Sequence, residues 1–352
     1  MKKINVLLAG FAVMSLVSCN GLLGDLGVRA PGVDLKVDRQ SEVSSVRLVD
    51  LDGNSHVKTA TDGELFIEKQ AKEPVKSTCT LGSGQTAIPG KLTIDGSDLP
   101  DAAKPHDGSL LTSAVIITVD NPASETVDFG STVTVDDKTE SVGGLTVPEN
   151  SVKSFGLIKG DKDEVKERSH YDDPVLLSEG LGGAISDGID EILITGLSVT
   201  PEKGTVTPSA ANTYEFQVKA KYYASLSYSP GSKIHVDKTF NDLDILIDID
   251  EVFKEYDIYF KVESTIPFDI KFSASSPDGL VGTSDDIIKA GTPGKPVSSN
   301  VVLHVIDNSG KKVDAISTAT LSLDLTAIEG AKFATGQTLK IDTDKLTIVK
   351  VQ

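Results

Sequence analysis

The chain contains no tryptophan, and its two methionines, Met1 and Met14, lie close to the N-terminus. Tryptophan is the side chain best suited to stacking on sugars and to anchoring protein interfaces. Its absence weakens a carbohydrate-binding interpretation, although seven tyrosines remain available for stacking.

Cysteine is scarce as well, since only Cys19 and Cys79 are present. If Cys19 is modified, Cys79 has no partner and no internal disulfide can form. Cys79 lies in the strand-like segment 75–81, so we expect a small buried apolar side chain there rather than a reactive thiol.

The common catalytic motifs are also lacking. The sequence has no Gly-x-Ser-x-Gly elbow, no His-Glu-x-x-His and no glycine-rich phosphate loop opening a helix. Its five histidines are scattered, with no pair at metal-ligand spacing. We therefore predict no catalytic residues, no metal, no cofactor and no enzymatic activity. A glycan-active enzyme built on spatially paired carboxylates remains as an alternative.

Acidic residues offer one candidate calcium loop. Asp50-Leu51-Asp52-Gly53-Asn54 has oxygen ligands at alternate positions, as the opening of an EF-hand does. The twelfth position from Asp50 is Thr61 instead of a bidentate acid, so a hairpin turn is the favoured interpretation. The alternating carboxylates of segment 242–250 are likewise interpreted as one solvated face of a strand.

Positive charge is in short supply, because 34 basic residues face 52 acidic ones and the formal net charge is −18. A surface of this sign repels phosphate backbones, so nucleic acid is not expected as a partner. It also argues against a polybasic contact with a membrane surface.

The N-terminus has the layout of an export signal. Lys2 and Lys3 precede residues 4–17, an uncharged and mostly apolar run. This run is too short to cross a bilayer, which takes about 20 helical residues, and it suits a signal peptide over residues 1–18. Glycines at intervals through residues 19–31 predict a flexible tether between that signal and the folded part.

The signal ends in Leu16-Val17-Ser18-Cys19, which resembles the lipobox of bacterial lipoproteins. The resemblance implies cleavage before Cys19, a diacylglycerol on its thiol and an acylated amine. Two or three acyl chains anchor a protein stably, whereas one chain does not. Asn20 follows the cysteine, and by the same resemblance this favours the outer membrane, with its face left open.

Beyond the tether, the sequence consists of short β-forming segments separated by turn signals. Asp-Gly pairs, such as Asp62-Gly63 between segments 57–59 and 65–67, are strong hairpin signals. We predict an all-β fold of two antiparallel β-sandwich-like domains in tandem, with little helix.

The charged segment 159–173 is predicted to be a solvated loop or short exposed helix near the boundary between the two domains. The two domains would then span residues 32–180 and 181–352. Strands are predicted at 75–81, 91–95, 113–120, 126–135, 152–158, 191–198, 214–228, 234–240, 242–250, 256–262, 268–274, 301–306, 319–325 and 346–351.

The two halves contain one similar segment. Residues 116–133 and 260–273 each read as a strand, a kink carrying proline, and a strand with phenylalanine near its start. Internal duplication and chance similarity of two β-rich segments are both compatible with this match. Segments 264–278 and 336–341 also resemble parts of uncharacterised β-rich outer-membrane lipoproteins of the Bacteroidota, a resemblance that implies no functional residues.

Tyr222, Tyr223 and Tyr228 form the densest aromatic group. Alternation places Tyr222 and Tyr228 on one face, either as core packing or as an exposed platform for a ligand. These two residues are the sequence's candidates for ligand binding.

These features favour a lipid-anchored, non-catalytic binding or adhesion-type protein of the cell envelope. It would be tethered to the membrane through Cys19, and its candidate partners are a glycan, a peptide or another envelope protein. A carrier of lipid in a β-rich groove is the first alternative.

Overall fold

The structure is a computed structural model. It describes residues 35–36, 45–46, 54–175, 177–203, 210–240, 245–246, 255–277, 279–292, 294–308, 315–316 and 318–350. Of the described residues, 57% lie in strands and 8% in helices, so the prediction of an all-β protein with little helix is confirmed. The signal peptide, Cys19, the tether and most of segment 242–250 lie outside the described residues, as do Asp50, Leu51, Asp52 and Gly53.

The chain folds into two compact units. Unit 2 is Leu51–Ser232, and unit 1 combines Met1–Asp50 with Lys233–Gln352. In unit 2 the elements are β3 (Val57–Thr59), β4 (Leu65–Gln70), β5 (Val75–Thr80), β6 (Thr86–Ala87), β7 (Leu92–Asp95), β8 (Ser113–Asn121), β9 (Val127–Val135), β10 (Lys138–Val147), β11 (Ser151–Lys159), α1 (Lys162–Ser169), β12 (Asp173–Val175), α2 (Glu179–Ser186), β13 (Glu191–Pro201) and β14 (Thr213–Ser225). In unit 1 they are β1 (Leu35–Lys36), β2 (Ser45–Val46), β15 (Lys233–Phe240), β16 (Ile245–Leu246), β17 (Glu255–Ser264), β18 (Phe268–Ser275), β19 (Leu280–Thr283), β20 (Val297–Asp307), β21 (Ala315–Ile316), β22 (Ala319–Ala327) and β23 (Leu339–Lys350).

This division differs from the expected tandem domains 32–180 and 181–352. β13 and β14 follow the expected boundary in sequence, but they pair with strands that precede it. β13 lies between β9 and β6, and β14 lies between β8 and β4. Hydrogen bonding between strands distant in sequence therefore places residues 181–232 in the same unit as residues 54–180. In unit 1, β1 and β2 each pair with β23, which lies near the other end of the sequence.

Unit 2 contains two sheets. A seven-stranded sheet has the order β12-β11-β8-β14-β4-β3, with β5 also on β14, and a five-stranded sheet has the order β10-β9-β13-β6, with β7 also on β13. β9 shows why such a sequence forms a half-buried strand, since every second residue is buried from Val127 to Val135. The predicted Asp62-Gly63 turn joins β3 to β4, and Gly63 adopts a φ of 85°, as such a turn requires.

The charged segment 159–173 contains helix α1, which is more buried than the sequence suggested. Asp161 caps its first turn by accepting hydrogen bonds from the backbone N–H groups of Asp163 and Glu164. Val165 and Ser169, four residues apart, are buried, because one face of the helix packs on the sheet. Gly160 is required just before it, since its φ is 95° and an added Cβ would lie 2.1 Å from the carbonyl oxygen of Leu111.

Unit 1 contains a nine-stranded sheet with the order β1-β23-β17-β20-β19-β18-β22-β15, in which β2 also pairs with β23. β17 and β18 are separated by two strands in this order. Even so, the rings of Phe260 on β17 and Phe272 on β18 lie 5.9 Å apart. The sheet therefore curves between β17 and β18, so that these two strands contribute to a common core.

The two units share part of their strand order. Unit 2 has the neighbour sets β11-β8-β14 and β10-β9-β13, and unit 1 has β20-β17-β23 and β19-β18-β22. Taken in chain order, β8, β9, β10, β11, β13 and β14 correspond to β17, β18, β19, β20, β22 and β23. The similar sequence segments fall on β8–β9 and on β17–β18, which occupy equivalent positions. The shared strand order favours internal duplication over chance similarity.

Candidate functional site

The tyrosines that the sequence offered as a ligand platform lie in the core. Tyr222, Tyr223 and Tyr228 are fully buried. The Tyr222 hydroxyl donates to the carbonyl oxygen of Ile185 at 3.0 Å, and the Tyr228 hydroxyl donates to that of Ala102 at 2.6 Å. Burial raises the pKa of both phenols. The ligand-binding hypothesis for Tyr222 and Tyr228 is therefore corrected, because neither ring can reach a ligand.

Cys79 is also buried, as expected for a small apolar side chain, and it is a free thiol. Three of the histidines, His56, His235 and His304, pair with carboxylates. His304 Nδ1 lies 2.7 Å from Asp257, and His235 lies 2.7 Å from Asp324. Across the described ranges, no group of three or more His, Cys, Asp or Glu residues is placed to hold a metal ion.

One of these pairs also includes a buried cation. Lys69 on β4 is 8% exposed and contacts the carboxylate of Asp98, to which His56 Nε2 also lies within 3.1 Å. Burial lowers the pKa of Lys69 and of His56. The Lys69 ammonium is thus held by an exposed carboxylate, an arrangement that stabilises the loop carrying Asp98.

The outer face of the seven-stranded sheet is the surface on which polar side chains converge. Pairing places Lys219 of β14 opposite Thr118 of β8, and Thr118 opposite Ser154 of β11. Two residues along β14, Lys221 is opposite Ile116. Residues i and i+2 of a strand point to the same side, so these side chains occupy two adjacent rows on one face.

Helix α1 covers part of this face. Val165 of the helix and the nearby Tyr171 pack into a cluster with Phe66, Ala114, Ile116 and Tyr223 of the sheet. The Tyr171 hydroxyl donates to the carbonyl oxygen of Lys162 at 3.0 Å, which fixes the ring against the helix start. The remainder of the face, beginning at Thr118 and Lys219, lies beyond this apolar cover.

Charged groups hold α1 in place. Arg168 donates to Glu164 at 2.7 Å, to Glu64 at 2.8 Å and to Asp62 at 3.1 Å, so that it joins the helix to the β3–β4 hairpin. The Tyr223 hydroxyl donates to Glu164 at 2.7 Å. Burial, followed by the nearby Glu164 carboxylate, raises the pKa of Tyr223.

A cleft of about 370 Å³ lies beside the covered area. Its floor contains Ile116 and Thr118, and its walls are residues 219–221 of β14 and residues 70–74 of the β4–β5 connection. β14 pairs with β5 up to Val218 and with β4 from Lys221, so the connection emerges beside Lys219. The Ala71 N–H donates to the Ala220 carbonyl oxygen at 2.8 Å, which anchors this wall.

The cleft is rich in lysine. Lys221 is paired with Glu68 at 2.9 Å, and Glu68 also accepts from Ser169 of α1. Lys72 and Lys219 are exposed and form no ion pair with any residue that the structure describes. Glu73 is the one carboxylate among the described lining residues. The cleft can therefore supply ammonium donors to an anion, but its lining lacks the carboxyl pair that a glycosidase uses.

The sequence contained part of this signal. Alternation along 214–228 places Lys219 and Lys221 on one face, a pattern that identifies an exposed basic row on β14. The same alternation does not show that the β4–β5 connection lies beside that row. This position depends on the register of β14 against β4 and β5, which is a long-range pairing. The cleft was therefore not predicted.

No protein family and no curated protein matches the amino-acid sequence. Among solved structures, the chain is similar to a "putative secreted protein" from Parabacteroides distasonis. The TM-score is 0.51 at 16% sequence identity, and the match covers 87% of this chain and 95% of that chain. At this identity the similarity shows a shared fold alone. It agrees, at the level of β-rich proteins, with the Bacteroidota resemblance of segments 264–278 and 336–341.

Two further structures align with most of the chain but much less closely. They are the infectious bursal disease virus Gx strain, with a TM-score of 0.25 at 11% identity, and the exported protein XepA of PBSX, with 0.19 at 10% identity. The viral match covers 89% of this chain and 52% of that chain, and the XepA match covers 89% and 99%. Neither score carries an argument about this protein. No helix in the described part of the chain is both long enough and apolar enough to cross a bilayer.

Proposed function

We propose that the protein is a lipid-anchored, non-catalytic binding protein of the cell envelope, and that it takes an anionic group of its ligand into the cleft of unit 2. The observation that carries the binding role is the pair of exposed lysines, Lys72 and Lys219, which lack ionic partners among the described residues. In a protein with a net charge of −18, an unneutralised basic cleft is the surface best suited to an anion.

The anchor rests on the lipobox Leu16-Val17-Ser18-Cys19. Acyl chains on Cys19 would tether the folded units to a membrane, with the outer membrane favoured by Asn20. Such a tether suits an adhesion-type or capture role, in which the protein presents its cleft to molecules near the envelope. The lipid-carrier alternative gains no support from this cleft, since a lipid chain needs an enclosed apolar cavity.

Two measurements test the proposal. Mass spectrometry of the protein purified from membranes should find residue 19 as the N-terminus with acyl mass attached, and Cys19→Ala should move the protein out of the membrane fraction. Titration with citrate, followed by NMR of lysine side chains, should shift the Lys219 signal, and Lys72→Met should reduce that shift. An unacylated N-terminus would refute the anchor, and an unchanged Lys219 signal would refute the binding site.

A further inference from the structure

We propose that the ligand of the cleft is an acidic polysaccharide, that is, a sugar chain bearing carboxylate or sulfate groups. This inference rests on the proposed function, since it names the class of anion that the same site takes. Four features of the cleft support it: its charge, its hydroxyl groups, its open end, and a backbone whose hydrogen bonds are already made within the sheet.

Charge provides the attraction. Lys72, Lys219 and Lys221 surround a space lined by one carboxylate, Glu73. Of the carboxylates just outside it, Glu68 is paired with Lys221, and Asp120 lies one row further along β8. At physiological ionic strength, interactions between exposed charges are screened over about 8 Å. A bound anion therefore responds to these lysines rather than to the net charge of the whole chain.

The lining of the cleft selects against neutral sugars. Among the described lining residues none is aromatic, so the stacking that commonly holds an uncharged sugar ring is lacking. Thr118, whose hydroxyl lies 2.8 Å from that of Ser154, and the exposed Gln70 amide can exchange hydrogen bonds with sugar hydroxyls.

The backbone around the cleft selects against peptides. An extended peptide usually binds a β-protein by adding a strand to an exposed sheet edge, where main-chain groups are free. The cleft lies instead over β8 and β14, which are inside the sheet. β8 is paired on both sides, with β11 and β14. β14 is paired with β8 on one side. On its other side it is paired with β5 up to Val218 and with β4 from Lys221, and between them the Ala220 carbonyl oxygen accepts from the Ala71 N–H. A peptide in the cleft would leave its own amides without these partners, whereas a polysaccharide has no such requirement.

The open end of the cleft suits a polymer. Lys219 and Lys221 are two residues apart on one strand, so their positions are separated by about 7 Å. The next row outward holds Gln217, opposite Lys76 on β5 and Asp120 on β8. A sugar chain lying along β14 can thus place successive acidic groups near Lys221 and Lys219 and continue over the uncovered face.

The test uses the full-length protein in mild detergent and isothermal titration calorimetry with three polymers of matched length. Polygalacturonate should bind, neutral dextran should not, and poly-glutamate should bind at least about tenfold more weakly than polygalacturonate. Lys219→Met should weaken polygalacturonate binding by about tenfold, as expected for one charge-assisted contact. Lys138→Met, which removes the same charge from β10 of the other sheet, should bind like the wild type.

The outcomes separate this inference from the proposed function. If poly-glutamate or dextran bound as tightly as polygalacturonate, the assignment to an acidic polysaccharide would be overturned. Citrate binding at Lys219 would still support the anion site. Unchanged binding in Lys219→Met would place the polysaccharide elsewhere and overturn the inference. Failure of citrate and all three polymers to bind would overturn both.

Discussion

Replacing Arg168 by methionine tests whether a single cation holds α1 on the sheet. Arg168 is 10% exposed at its side chain and lies within 3.1 Å of three carboxylates. Methionine keeps an apolar stem near the Phe66 ring, which the Arg168 guanidinium approaches at 5.9 Å. The substitution therefore removes the positive charge and the hydrogen bonds while leaving most of the packing in place.

The size of the effect follows from the burial of the partners. Removing one member of a buried ion pair costs about 3–5 kcal/mol, because the other charge stays buried without compensation. Glu164 and Glu64 are 17% and 18% exposed, but Asp62 is 52% exposed and remains hydrated. The lower end, about 3 kcal/mol, is therefore expected. For a domain of about 150–250 residues, this lowers the Tm by about 6–12 °C.

Differential scanning calorimetry of the wild type and Arg168→Met measures this change. Lys138→Met serves as the matched control, because it breaks the surface pair between Lys138 and Asp137, whose side chains are 53% and 80% exposed. Exposed pairs contribute little, so the control should melt with the wild type. An Arg168→Met protein that melts within about 1 °C of the wild type would show that apolar contacts alone hold the helix.

Two further predictions concern the core and one exposed histidine. Tyr222→Phe leaves the buried carbonyl of Ile185 without its donor and should cost about 1–3 kcal/mol by thermal denaturation. Tyr214→Phe, whose hydroxyl makes an exposed bond, should be silent, and equal Tm values for the two variants would contradict the core assignment. The bond to Asp324 raises the pKa of His235 above 6.5, so the pair stabilises the fold below that pH and loses its effect as the pH rises through the folded pKa. NMR titration should find a lower pKa in Asp324→Asn, and an unchanged value would refute this pairing.

Most strands could be placed from the sequence because their signal is local. The period-two burial of β9 and β18 follows directly from alternating apolar residues. β10 and α2 were missed for equally local reasons. β10 carries Gly143 and Gly144 at a bulge, and α2 contains three glycines in eight residues, so propensity argued against both elements. Tertiary packing overrode propensity in each case.

The candidate site was less accessible to sequence reasoning. Tyr222 and Tyr228 carried the expected aromatic signal, but an aromatic row on a strand has the same sequence whether it faces solvent or the core. Their burial was decided by the sheet and helix α2 that cover them, with Ile185 supplying the bond to Tyr222. Alternation along β14 is enough to predict the row of lysines, but it does not predict the wall of the cleft beside them.

The sequence by itself determined the all-β class, the Asp62-Gly63 turn and the β8–β9 and β17–β18 similarity, since each depends on residues close together in the chain. The export signal with its lipobox is a prediction from the sequence alone. The tertiary structure decided the grouping of residues 54–232 into one unit, the packing of α1 on the sheet and the position of the cleft. These features depend on strand pairings between distant residues, such as Lys221 with Gln70, and such pairings form only when the whole sheet assembles.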